Sequence, residues 1–137
     1  MTDQHGEGIL TRAARRELLA IARAALTAHI TTGRMPTPAA ASHELQIRQG
    51  MFVTLTIGGN LRGCMGHFDN DTPIAELAAR QAVVSATHDP RFARVQPQEL
   101  AAISIEISVL SNPEPVPSWR DIVVGTHGVI IEKSGRR

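Results

Sequence analysis

The sequence predicts an α+β domain, a mainly antiparallel sheet with helices packed on one face. Three observations carry that prediction. Residues 51–57 and 103–109 alternate apolar and polar side chains with the two-residue period of half-buried strands. Residues 11–32 and 73–87 repeat apolar side chains at helical spacing. Gly58-Gly59-Asn60 follows the first alternating run with the residues of a tight reversal, so a hairpin is expected there.

Met1 to Gly8 is polar and reads as a loose end. Thr11 is placed to cap a helix running to about Thr32, with Leu10, Ala14, Leu18, Ile21, Ala25 and Leu26 on its inner side and Gly33 just past its end. Arg12, Arg15, Arg16 and Arg23 then fall on the remaining, solvated surface. Met35 to Ser42, with two prolines, reads as an extended linker. Met51 to Ile57 and Leu61 to Met65 form the hairpin. Asp71-Thr72-Pro73 opens the second helix, with Thr72 as cap and Pro73 at the first helical position. Its face of Ile74, Leu77, Ala78, Gln81, Ala82 and Ser85 is small enough to lie close on a sheet. Pro90 disfavours helical angles at Asp89, which ends the helix near Thr87. His88 to Leu100 is expected to be a loop, Asn112 to Pro117 to leave the sheet, and Gly128 to Lys133 to form a last strand before a turn at Ser134-Gly135.

At 137 residues the chain has the length of one domain, with residues 1–8 outside it and 9–137 within it. Apolar residues make up 42 %, enough for a core, yet aromatics are only 3 %, so aliphatic side chains must build it. A formal net charge of +1 leaves no basic footprint for nucleic acid, and the scarcity of aromatics speaks against base stacking. A single cysteine excludes an internal disulfide and a multi-cysteine zinc site. Arginines interrupt the first thirty residues, unlike a signal peptide, and no apolar run approaches the length of a membrane span. The expected setting is cytoplasmic, without a membrane, a metal or a cofactor.

Leu61-Arg62-Gly63-Cys64-Met65-Gly66 is the stretch richest in chemistry. Strict alternation puts Arg62 and Cys64 on one face, beside each other, where a thiol loses its proton more easily. The alternative is a buried cysteine acting as a small apolar filler. Gly63 and Gly66 are sites where a bulge would reset the faces. His67 follows closely but points away from Cys64 on a regular strand, so it serves as a base only if a bulge intervenes at Gly66. His88 lies in the loop after the second helix, as a surface imidazole or as a group approaching the hairpin. Asp89 and Arg91 flank Pro90, ordering their loop or contacting a substrate. Glu106 lies on the polar face of its strand, paired with Arg62 or lining a cleft with Cys64. The six histidines form no close metal-binding pair.

The chain also resembles the AMME chromosomal-region protein family, called AmmeMemoRadiSam system protein A in prokaryotes. The resemblance rests on Leu61 to Gly66, where relatives usually have isoleucine at Met65; on Asp89-Pro90-Arg91-Phe92 with Glu99-Leu100; on Glu106 to Ser111 with Pro113-Glu114-Pro115; and more weakly on Gly125 to Ile131. His67 stands where the family usually has threonine. The resemblance implies an α/β body with a smaller lobe and a cleft near the cysteine segment. It also implies relatives that continue past Arg137, so this chain is expected to lack their C-terminal segment and to leave an open edge on its last strand. No settled reaction comes with the family. The expected site comprises Cys64 and Arg62 as chemical groups, with Gly63, Gly66, His67, His88, Asp89, Arg91 and Glu106 contacting a small molecule or partner. By resemblance a Memo-type or radical-SAM protein shares the pathway. Two functions stay open: thiol-based modification or small-molecule chemistry, and a non-catalytic adaptor using the same segment for recognition.

Overall fold

The structure, a computed structural model, describes residues 10–36 and 42–110, and the backbone of 130–134. Helix α1 spans Arg12–Thr32. Strands β1 (Met51–Ile57) and β2 (Asn60–His67) form the hairpin, α2 spans Ile74–Thr87, and β3 (Ile103–Val109) and β4 (Ile130–Ser134) follow. The sheet runs in the order β2-β1-β3-β4 with every pair antiparallel. Met51, Val53 and Leu55 of β1 join Ile103, Ile105, Ile107 and Val109 of β3 in one core with Leu18, Leu26, Ile74 and Leu77 from the two helices. The opposite face of β1 and β3 carries Phe52, Thr54, Ser104, Glu106 and Ser108.

The local rules hold where they are strongest. Thr11 Oγ1 accepts the Ala14 N–H at 3.1 Å, and Gly33 adopts φ +79°, sending its N–H to the His29 carbonyl. Gly58 and Gly59 take the positive φ values the reversal demands. The expected helix face on α2, Gln81 and Ser85 included, is buried.

Other expectations are corrected. Thr72 does not cap α2. Its hydroxyl donates to Asp71, and Pro73 occupies the cap position with helical geometry starting at Ile74. The loop after α2 ends in a 3-10 turn, Pro97–Ala102, closed by a capping box between Gln96 and Glu99. A second 3-10 turn, His43–Gln46, precedes β1. Arg23 is not on the solvated surface: its guanidinium donates to the carbonyls of Leu100 and Ile103 and ties α1 to the start of β3. Strand β2 runs on to His67; of the expected last strand, Ile130–Ser134 is described as β4, and Gly128 and Val129 lie outside the described residues. The expectations for Met1 to Gly8, for most of Met35 to Ser42 and for Asn112 to Pro117 lie outside the described residues.

Candidate functional site

The cysteine strand is irregular at one point, and that irregularity sets the site. From the turn outward, Ile57 pairs with Asn60 and Thr56 with Leu61, but Leu55 pairs with Gly63, leaving Arg62 as the extra residue of a β-bulge. Without the bulge, Arg62 would face Leu55 and Cys64 would face Val53, both on the core side. One added residue reverses every later side chain. Gly63, Met65 and His67 now sit opposite Leu55, Val53 and Met51, while Cys64 sits opposite Thr54 on the face away from the helices. The strict alternation that would have paired Arg62 with Cys64 is broken between them.

Most of the motif around Cys64 is bound to structural partners. A Cβ added at Gly63 would collide with the Ser85 carbonyl oxygen of α2, so only glycine lets the helix rest there. The Ser85 hydroxyl, itself buried, donates to the Val53 carbonyl at 2.8 Å and accepts the Met65 N–H at 3.0 Å, stitching β1, β2 and α2 together. At Gly66 a Cβ would lie 2.7 Å from Phe52 Cβ. Arg62 turns to the loop, where Nε and Nη2 grip Glu99 at 3.0 and 2.9 Å and Nη1 donates to the Ala93 carbonyl at 2.9 Å. That fork, assisted by the Gln96 N–H, holds the Glu99 carboxyl below its ordinary value despite partial burial.

Asp89 is the most constrained carboxylate described. It is 4 % exposed. It accepts from Arg91 Nε at 2.9 Å, Arg91 Nη2 at 2.7 Å, the Arg91 N–H at 3.0 Å and the Cys64 N–H at 3.0 Å. Arg91 first, and the backbone donors after it, hold the Asp89 carboxyl far below the usual range against the opposing effect of burial. Arg91 in turn is raised, chiefly by its hydrogen bonds to Asp89. Arg91 is also the cation at the Cys64 backbone, reaching the Cys64 carbonyl at 3.5 Å, and it lies over the Phe92 ring.

The thiol itself is half-buried, and its Sγ is 3.1 Å from Thr54 Oγ1. Glu106 is the residue opposite Thr54 on β3, so Cys64, Thr54 and Glu106 occupy one row across three strands. The Arg62 fork that the sequence offered to Glu106 is taken by Glu99. His67 Nε2 lies 2.8 Å from Asp71 Oδ1, and His88 Nδ1 lies 2.7 Å from Thr87 Oγ1, so these ring nitrogens are engaged away from the thiol. Of the sequence-derived candidates, the structure gathers Cys64, Asp89, Arg91 and Gly63, aligns Glu106 with them, and separates His67. Sequence reasoning missed Thr54, Ser85 and the partnership of Glu99. Thr54 was hidden because the bulge shifts its pairing by one position.

Among the described residues, one group has metal-ligand chemistry: His67 at the end of β2 and Asp69 and Asp71 in the loop after it bring a donor atom each within 4.8 Å of one another. Both aspartates are exposed, and Asp71 is held low by His67 and Thr72.

The profile of the AMMECR1 family matches residues 19–137. The chain belongs to the AMMECR1 family. A Methanothermobacter thermautotrophicus protein is 39 % identical over 135 residues, covering 93 % of this chain and 70 % of its relative. A Methanosarcina mazei protein is 34 % identical over 134 residues, covering 91 % and 67 %. The crystal structure of an uncharacterised protein from Pyrococcus horikoshii superposes with a TM-score of 0.75 at 32 % identity. That superposition covers 80 % of this AMMECR1 chain and 57 % of the Pyrococcus one. No helix among the described residues is long and apolar enough to cross a membrane.

Proposed function

We propose that this AMMECR1 domain acts through the Cys64 thiol, as the contact or reacting group of a small-molecule site on the face of the sheet away from α1 and α2. The observation that carries the reading is the division of labour at Cys64. Its backbone N–H is fixed by Asp89, while its side chain touches only the Thr54 hydroxyl among the hydrogen bonds described and stays half-exposed. A side chain presented on so constrained a backbone has little orientational freedom to lose on binding. Arg91 supplies the neighbouring positive charge, the role the sequence suggested for Arg62. Thr54 and Glu106 supply the polar wall, and membership of a pathway with radical-SAM and Memo-type proteins would supply the substrate.

A second reading, a non-catalytic adaptor, is favoured by one specific feature. A thiolate nucleophile usually works with a base, yet the ring nitrogens of His67 and His88 described above are engaged by Asp71 and Thr87. Cys64→Ser separates the two. The thiol reading expects the serine variant to fold, to keep ligand affinity within a few-fold and to lose modification by iodoacetamide and any turnover. The adaptor reading expects capture of a Memo-type or radical-SAM partner to survive Cys64→Ser. Turnover retained by the serine variant would remove the thiol reading.

A further inference from the structure

Strand β2 is an outer strand of the described sheet, so its outward N–H and C=O groups have no neighbouring strand. An open edge of that kind is a template for another chain. At Cys64 the edge is filled by two side chains. The Asp89 carboxylate accepts the Cys64 N–H at 3.0 Å, and the Arg91 guanidinium approaches the Cys64 carbonyl at 3.5 Å. One acceptor and one donor from a single ion pair take the places a paired residue on an added strand would fill. The pair is held in register, because Arg91 Nε, Nη2 and N–H all bind Asp89. The loop bearing it is anchored on both sides: the Val95 N–H binds the Ala86 carbonyl, and Arg62 holds the Ala93 carbonyl and Glu99.

We infer that the Asp89–Arg91 pair is an edge guard, a surrogate strand that keeps β2 from pairing with β2 of a second copy of this chain. The occupant it excludes follows from the edge itself. Next to the guard, Leu61 of β2 is 42 % exposed, and a two-fold-related copy would offer the same strand in antiparallel sense, apolar side chain against apolar side chain. This holds whether or not the thiol reading is right, since it uses only the backbone of Cys64.

The test combines amide exchange with solution mass. In the parent chain the Cys64 amide is expected to exchange slowly. Asp89→Ala removes its acceptor and should speed exchange about tenfold or more, the worth of one charge-assisted hydrogen bond. Light scattering should then show mass rising with concentration for Asp89→Ala and not for the parent. Adding Leu61→Lys should return it to the parent's behaviour, because a lysine on an edge strand blocks pairing. Should Asp89→Ala not fold, Arg91→Ala, a change at a half-exposed side chain, carries the test by uncovering the Cys64 carbonyl and should associate more weakly. A folded Asp89→Ala with a fast Cys64 amide and the parent's mass at every concentration would overturn the guard. So would an Arg91→Ala chain of parental mass if Asp89→Ala is unfolded, or association that Leu61→Lys leaves unchanged.

Discussion

The two ends of β2 are built on opposite terms. At Arg62–Cys64 the residues are fixed by partners from other elements: Glu99 and Ala93 bind Arg62, Asp89 accepts the Cys64 N–H, and the Ser85 backbone packs directly against Gly63. At His67 the strand runs into a loop whose polar groups partner mainly one another, with Asp71 bonded to His67 and Thr72 and with Arg48 reaching the Asp71 carbonyl. Both ends carry charge and potential chemistry. The first is over-determined by tertiary contacts between residues far apart in sequence, and the second is local and solvated. The difference teaches that a dense motif need not be a catalytic motif. In Leu61 to Gly66, the arginine and the two glycines are accounted for by folding, and the cysteine is the one chemically reactive side chain left over.

Substitutions at the two ends should therefore differ widely. Gly63→Ala is expected to have the largest effect. The new methyl meets helix backbone, which cannot step aside as a flexible side chain would, and a loss of about 3 kcal/mol or more is expected. Urea unfolding of the two chains would measure it, and a loss below about 1 kcal/mol would show that α2 can lift off the strand.

Asp89→Asn comes next, and its signature is in pH. The Asp89 carboxyl is depressed in the folded chain, so its contribution to stability is complete above the unfolded value near about 4 and is lost as pH falls through the lower folded value. The parent should thus lose stability steadily as pH falls below about 4. Asp89→Asn should start less stable at neutral pH and show a flatter acid limb. Parallel acid limbs for the two would place the linkage elsewhere.

Arg62→Ala should follow. An exposed ion pair is worth about 0–1 kcal/mol, but this fork is two-pronged and Arg62 is only 16 % exposed, so about 1–2 kcal/mol is expected. A double-mutant cycle with Glu99→Gln would assign the coupling. His67→Ala is the smallest, with no measurable shift in melting temperature, because its partner Asp71 is exposed. A larger loss from His67→Ala than from Arg62→Ala would invert the comparison between the two ends.

Legibility in the sequence followed the same division. The helix limits at Thr11 and Gly33, the hairpin, and the inner faces of β1, α2 and β3 were readable because each depends on neighbours a few residues apart. Thr72 was misread because Pro73 carries the extended backbone of the cap position, leaving the threonine one residue too early. Cys64 was expected to share a polar face with Arg62; it lies on the face of Thr54, away from the helices, but not by that alternation. Alternation with Arg62 fails at the bulge, and the bulge itself puts the thiol opposite Thr54. The bulge had a sequence signal that only register-counting reveals: the regular hairpin would have set Arg62 against Leu55 in the core. Arg62 with Glu99, and Cys64 with Asp89, are separated by 37 and 25 residues, and no local pattern predicts such pairs.

The fold fixes the backbone at Cys64 while leaving its thiol half-exposed. Native-state labelling tests it most directly: the folded chain is treated with iodoacetamide at neutral pH, and the Cys64 peptide is followed by mass spectrometry alongside the exchange of the Cys64 amide. The thiol is expected to label while its own amide stays protected, at a rate independent of low, non-denaturing urea. Labelling that appears only with amide exchange and accelerates with urea would mean that the thiol is reached through opening of the fold, and would contradict it.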